Sequence, residues 1–286
     1  MDGNRKKLLL GLIGAGIQAS RTPDMHEREA QEHGLLCLYQ LIDLEVLGLQ
    51  ADALPELLTA AERMGFAGLN ITHPCKQLIL PLLTDLSDNA RAIGAVNTVV
   101  LRDGRRSGHN TDWVGFRENF VRGLPDAALG RIVQLGAGGG GAATAYALLK
   151  MDAGCLTIVD PDAERCAALV ERYSAVFGGE RIRASSDIEA SMADADGLVH
   201  ATPTGMIGHP GLPLPAALLR SDLWVADIVY FPLETELLRA AREAGCRTLD
   251  GGGMAVHQAI EAFRLFTGLE ADAARMQRHF LAQLQG

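Results

Sequence analysis

The run Gly136-Ala137-Gly138-Gly139-Gly140-Gly141 follows the apolar segment RIVQL and precedes a helical stretch. Gly136, Gly138 and Gly141 fit G-x-G-x-x-G: the first glycine permits a tight turn, the second lets backbone approach a pyrophosphate, and the third lets the helix pack closely. The phosphates would then sit at a positive helix N-terminus. The next apolar run, LTIVD, ends in Asp160, where a carboxylate can accept hydrogen bonds from the adenosine ribose hydroxyls. The same carboxylate would repel a 2′-phosphate, so the spacing predicts NAD as cofactor. Arg165, one helical turn further on, could offset that repulsion and leaves NADP open. A glycine-rich turn that binds nothing and a solvated arginine are the competing readings.

The elements that must position this loop form a βαβ unit: RIVQL, the glycines, a helix through Leu149, and LTIVD. GLVHAT, LWVADIV and CRTLD continue it as buried parallel strands. Upstream, KLLLGLIG, LLCLYQLID and GLNIT read as strands separated by helices near Pro23 to His33 and Leu54 to Met64. A polar helix near Ser87 to Ile93, the alternating strand AVNTVVL and a turn at Asp103-Gly104 follow. Thr111 to Leu129 reads as a partly helical linker; Val256, Ile260 and Phe263, then Met276, Phe280 and Leu284, recur at helical intervals as two closing helices. The expected architecture is α/β. An N-terminal α/β substrate domain spans residues 1–111, and a Rossmann-type dinucleotide domain with its linker helix spans 112–253. C-terminal helices over 254–286 pack back toward the first domain, with a cleft between the two domains.

The 286 residues, 48% hydrophobic and 21% charged, describe an ordinary folded chain. A net charge of −9 disfavours nucleic acid and anionic membrane surfaces as partners and favours a small-molecule substrate. Five cysteines without a C-x-x-C pair suit a reducing cytosol. The basic start and short apolar run begin as a signal peptide does. The run is too short and glycine-rich for one, and Leu8 to Ile13 reads as a buried strand. A cytoplasmic protein without a membrane span is expected, with monomer and homodimer both open. His73, Cys75, His109 and His257 lack zinc-site spacing, so no metal is expected.

With SRTPDMH, NITHPCK, GAVNT, NTDWVGF, the glycine loop, ATPTGM and GGGMAVHQA in that order, the sequence resembles the shikimate dehydrogenase family over nearly its whole length. The resemblance implies NAD(P)-dependent oxidation of the ring 3-hydroxyl of shikimate or quinate. Three departures stand out. Ser20-Arg21-Thr22 replaces the family's S-x-S, Asp160-Pro161-Asp162 replaces the N-R-T of NADP-dependent members, and GAGGGGA carries an extra glycine. The first two resemble the NAD-dependent quinate/shikimate dehydrogenase branch. An NADP-dependent shikimate dehydrogenase is the near alternative, and a catalytically inactive NAD-binding sensor is the alternative of another class.

Alcohol oxidation by NAD needs a base for the hydroxyl proton while hydride leaves carbon. The resemblance implies Lys76 as that general acid/base and Asp112 as its partner, with a surface lysine in a loop as the structural alternative for Lys76 and an N-cap of the linker helix as that for Asp112. It implies Ser20 and Thr22 as donors to the substrate carboxylate, where helix capping ahead of Pro23 is the alternative. It further implies Thr72, Asn97 and Gln258 at the ring hydroxyls and carboxylate, with Asn70 as a weaker member, and Tyr230 where substrate meets nicotinamide, a half-buried aromatic being the alternative for Tyr230. Asp88 matches a family acid near the substrate domain's helix, with a solvated helical carboxylate as its alternative. Thr202, Thr204 and Met206 would line the cofactor cleft; Ile228, Gly251, Gly253 and Met254 would meet its nicotinamide end.

Overall fold

The computed structural model describes residues 6–284, so the basic start of the chain that resembles the opening of a signal peptide lies largely outside the described residues. The chain divides into two compact units, residues 1–111 with 258–286, and residues 112–257. The division falls at 257/258, inside a helix, rather than at the 253/254 boundary drawn from sequence.

The first unit holds β1 (Lys7–Gly14), α1 (Thr22–Glu32), β2 (Leu36–Asp43), α2 (Leu44–Leu47), α3 (Leu54–Arg63) and β3 (Gly68–Ile71). It continues with α4 (Cys75–Leu78), β4 (Asp85–Leu86), α5 (Asp88–Ile93), β5 (Thr98–Arg102) and β6 (Arg105–His109). Its sheet has the order β2-β1-β3-β5-β6-β4. β1 pairs in parallel with β2 and β3, whereas β5 runs antiparallel to both β3 and β6. The hairpin between β5 and β6 turns at Asp103-Gly104, both at positive φ. β6 was not legible in sequence because RRSGH lacks apolar alternation.

β1 shows why these strands read as near-continuous apolar runs. Ile13 packs with Leu58, Leu69, Ile71 and Val99 on one face, while Leu8, Leu10 and Leu12 pack with Tyr39, Val100 and Phe266 on the other. Successive side chains alternate sides, so a sheet covered on both faces needs apolar residues at every position.

The second unit holds α6 (Asp112–Gly123), β7 (Arg131–Leu135), α7 (Gly139–Lys150), β8 (Cys155–Val159), α8 (Ala163–Phe177), β9 (Ile182–Ala184) and α9 (Ile188–Met192). β10 (Gly197–His200), β11 (Trp224–Asp227), α10 (Glu236–Glu243) and β12 (Arg247–Leu249) follow. The sheet, in order β12-β11-β10-β7-β8-β9, is parallel throughout. β7 and β10 meet where the order reverses, the crevice in which open α/β sheets bind ligands. β12 is not the buried strand expected, since it lies at the sheet edge with Arg247 exposed.

α11 (Gly252–Thr267) runs through the 257/258 division, and α12 (Ala273–Leu284) belongs to the first unit. No helix among the described residues is long and apolar enough to cross a membrane.

Candidate active site

In the second unit the glycine loop has the geometry its spacing implied. Gly136 sits at φ +103°, which an L side chain rarely adopts, and a Cβ there would meet the Ala201 carbonyl at 2.5 Å. A Cβ on Gly141 would lie 2.2 Å from the Gly136 oxygen, so only glycine lets α7 begin this close to the turn. Gly138 is the N-cap of α7 at φ −70°, with nothing within 4 Å of where its Cβ would be. That leaves open space at the N-terminal amides of α7, as an approaching pyrophosphate requires. Gly139 and Gly140 continue into the first turn, and Ala137 and Gly136 are buried. The site thus fits a dinucleotide.

Gln134, which sequence reasoning passed over, locks this loop. Its Nε2 donates to the carbonyls of Gly136 and Gly141 at 2.9 and 2.8 Å, and its Oε1 accepts from Thr144. The signal was a lone amide among the apolar residues that follow Arg131 in β7; the structure buries it fully, where it must find partners.

Asp160 follows β8 and touches the loop directly, because its Oδ2 accepts the Ala137 N–H at 2.8 Å and its Oδ1 accepts that of Asp162. Arg165 lies 3.2 Å from Asp162 and 3.8 Å from Asp160, so two carboxylates share its charge.

Thr202, Thr204 and Ile228 gather on the same crevice. A Cβ on Gly136 would touch Thr202, one on Gly140 would touch Ile228, and one on Gly251 would meet the Ile228 carbonyl. Gly253 leaves no room beside Asn119. Met206 is exposed, whereas Met254 is buried in the first turn of α11. Behind Thr202 lies a pair that sequence reasoning missed: His200 Nδ1 is 2.9 Å from Asp227 Oδ1, and His200 Nε2 is 2.6 Å from the Thr202 hydroxyl. Asp227 also accepts from the Val229 N–H and the Thr235 hydroxyl, which ties the ends of β10 and β11 together. Asp112 is buried as the first residue of α6 rather than the residue ahead of it. Tyr230 follows β11, and the dense surroundings of its hydroxyl, with the Asp112 charge second, raise its pKa above the usual tyrosine value.

In the first unit the remaining residues collect at the C-terminal ends of β1 and β3. The Thr72 N–H donates to the Ile13 carbonyl and its own carbonyl accepts from Cys75, the residue that opens α4. Lys76 is half-buried in α4, its backbone carbonyl accepting from Val96 next to Asn97. The Ser20 hydroxyl accepts the Thr22 N–H at 3.3 Å, and Thr22 begins α1. Arg21 is the N-cap of α1 and supplies no side-chain cap; the capping alternative drawn for this motif holds only for Ser20 and the Thr22 amide.

The loop that presents Ser20 hangs on Asp43, another residue missed from sequence. Its carboxylate accepts from the amides of Gly16, Ile17 and Glu45 and from Gln18. Burial pushes its pKa up, but the hydrogen bonds from Gln18 and these amides outweigh that and hold it below the usual carboxylate value. Asn97 meets Gln258 and Thr111, while Asn70 lies beneath them, bonded to Tyr39 and Thr98. Asp88 is exposed on α5 and joins none of these groups. Among the described residues no group of three or more His, Cys, Asp or Glu side chains is placed to hold a metal ion.

Comparison with known proteins bears on both units. The shikimate dehydrogenase substrate binding domain family matches residues 12–99, and the shikimate 5′-dehydrogenase C-terminal domain family matches residues 251–279. A shikimate dehydrogenase (NADP(+)) of Streptomyces avermitilis is 58% identical over 97% of this chain and 96% of its own length. A quinate/shikimate dehydrogenase (NAD(+)) of Corynebacterium efficiens is 49% identical over 98% of this chain and 99% of its own. The solved structure of quinate dehydrogenase from Corynebacterium glutamicum in complex with NAD superposes with a TM-score of 0.91 at 49% identity, covering 97% of this chain and all of that one.

Proposed function

The chain belongs to the shikimate dehydrogenase family, and from that premise we propose that it is an NAD-dependent quinate/shikimate dehydrogenase of the cytoplasm, acting as a monomer or homodimer. It oxidises the ring 3-hydroxyl of either acid reversibly. The observation that carries the choice of NAD is the state of Asp160. Its carboxylate stands at the glycine loop, where it favours ribose hydroxyls over a 2′-phosphate, and the charge of the nearby Arg165 is already shared by Asp160 and Asp162.

When bound, NAD supplies the hydride acceptor for the ring carbon. The α7 N-terminus and the loop from Gly136 to Gly141 hold the pyrophosphate, while Asp160 takes the ribose hydroxyls. Thr202, Thr204, Met206, Ile228, Gly251 and Met254 place the nicotinamide end, with Thr202 braced by His200. Ser20 and Thr22 hold the substrate carboxylate; Thr72, Asn97, Gln258 and Tyr230 hold the ring. Lys76 takes the 3-hydroxyl proton during oxidation and returns one to the ketone oxygen in reduction, and Asp112 assists it as a carboxylate.

A second reading, an NADP-dependent shikimate dehydrogenase, is favoured by the name and 58% identity of the Streptomyces relative. Measuring kcat/KM for shikimate and quinate, each with NAD and NADP, separates the two. Turnover of both acids with NAD preferred supports the proposal, and NADP preference establishes the alternative.

A further inference from the structure

The proposed substrate contacts in the first unit rest on a buried polar layer whose hydrogen-bond directions are decided by two backbone groups. The Thr111 N–H donates to one end of the Asn97 amide at 2.7 Å. A backbone N–H only donates, so that end is Oδ1, and Asn97 Nδ2 faces the Thr111 hydroxyl at 2.9 Å and Gln258 at 3.4 Å. The atom Gln258 turns inward must therefore accept, which makes it Oε1. It stands 3.4 Å from the Thr111 hydroxyl too.

The Asn97 carbonyl works in the opposite sense on Asn70. A carbonyl only accepts, so the Asn70 atom 3.2 Å from it is Nδ2, which also donates to Thr98 Oγ1 at 3.1 Å. The Thr98 hydrogen is then directed at Asn97 Oδ1, 3.1 Å away. Asn70 Oδ1 is left facing Tyr39, whose hydroxyl must donate to it at 2.7 Å. Donation thus runs one way: Tyr39 to Asn70, Asn70 to Thr98, Thr98 to Asn97, Asn97 to Thr111 and Gln258. All but Gln258 are buried, and Tyr39 is held by stacking on His26 with ring centroids 5.2 Å apart.

We propose that Tyr39 is a positioning residue for substrate, heading a one-way donor chain that leaves Gln258 offering its Nε2 hydrogens to an oxygen acceptor on the ring or its carboxylate. The inference rests on the proposed function for what occupies the site. Gln258 Nε2 donates to no described residue, so its two hydrogens are available to a ligand. Tyr39 itself is on the outermost strand of the sheet, separated from Gln258 by three side chains, and acts only through them. Without its hydroxyl, Asn70 Oδ1 is buried and unpaired; the Asn97 carbonyl forbids the amide from turning over, so the loss weakens the hold of Asn70 on Thr98 and, through Thr98, on Asn97.

The test is steady-state kinetics on the full chain with Tyr39→Phe, which keeps the ring and its stacking, and Thr98→Val, which cuts the chain one link nearer the site. Each variant is expected to raise KM for shikimate about tenfold while kcat and KM for NAD change less than about twofold, as loss of a ground-state binding contact predicts. The double variant should be no worse than the poorer single, because both remove one pathway. Wild-type KM for shikimate in either folded single variant, with only the melting temperature lowered, overturns the positioning role, as do effects that multiply in the double variant. Should Tyr39→Phe fail to fold, Thr98→Val alone decides by the same split. Wild-type protein inert toward shikimate and quinate with both cofactors overturns the proposed function instead, so the two failures are distinguishable.

Discussion

At the residue scale, Lys76 is the side chain on which turnover depends in the proposed mechanism. Lys76→Ala should lower kcat by about 10² to 10⁴, the range for removing a general acid/base, with a smaller change in KM. Wild-type kcat in that variant would remove the lysine from the reaction. His26 offers a different test, on stability. It is fully buried, neither ring nitrogen has a hydrogen-bond partner among the described residues, and burial lowers its pKa to about 3 against a smaller opposing effect from Glu29. The unfolded chain binds a proton near the ordinary value of 6.5 while the folded chain does not, so stability is lost as pH falls from 6.5 toward 3. His26→Phe should remove up to about 2 kcal/mol of the difference between pH 7 and pH 5. Melting curves at those two pH values check this, and an unchanged pH dependence would show that His26 does not contribute.

At the element scale, the turn from β7 into α7 separates packing from binding. Gly141→Ala puts a methyl group against the Gly136 carbonyl and should cost about 1 to 3 kcal/mol of stability, as overpacking does, together with affinity for NAD. Gly138→Ala meets open space at an ordinary φ, so its melting temperature should hold while KM for NAD rises several-fold, because the methyl group occupies the pyrophosphate's approach. Equal NAD affinity in wild type and Gly138→Ala, by titration, would show that the cofactor does not cross this turn.

At the scale of the whole molecule, the first unit is completed by the end of the chain. Glu29 in α1 is fully buried and accepts from Arg275 in α12 through both carboxylate oxygens, from the Asp272 N–H, and interacts with His33. Burial works to raise its pKa, but the hydrogen bonds from Arg275 and Asp272 prevail and lower it from 4.5. Its stabilising effect is therefore present above 4.5 and is lost as pH falls through the lower folded value. Arg275→Ala leaves this carboxylate buried with its main cation gone and should cost about 3 kcal/mol. Faster hydrogen exchange confined to α1 and α12 would accompany the loss. Exchange unchanged in α12 would mean that apolar contacts through Met276 and Phe280 suffice to dock it.

The sequence by itself determined what depends on neighbours along the chain. The G-x-G-x-x-G turn, the acid after the next strand and the apolar runs of the sheets are local patterns, because φ preferences and strand alternation act over a few residues. Ordered polar motifs likewise carried the family resemblance, and the proposed residue roles rest on it. Only the tertiary structure decided which polar groups share a hydrogen bond. Gln134 beneath the glycine loop, Asp43 behind Ser20, the His200–Asp227 pair and the chain from Tyr39 to Gln258 join residues that composition and spacing leave unconnected. A buried donor must find an acceptor, but it is the packing of strands and helices, not adjacency in sequence, that decides which one comes within reach.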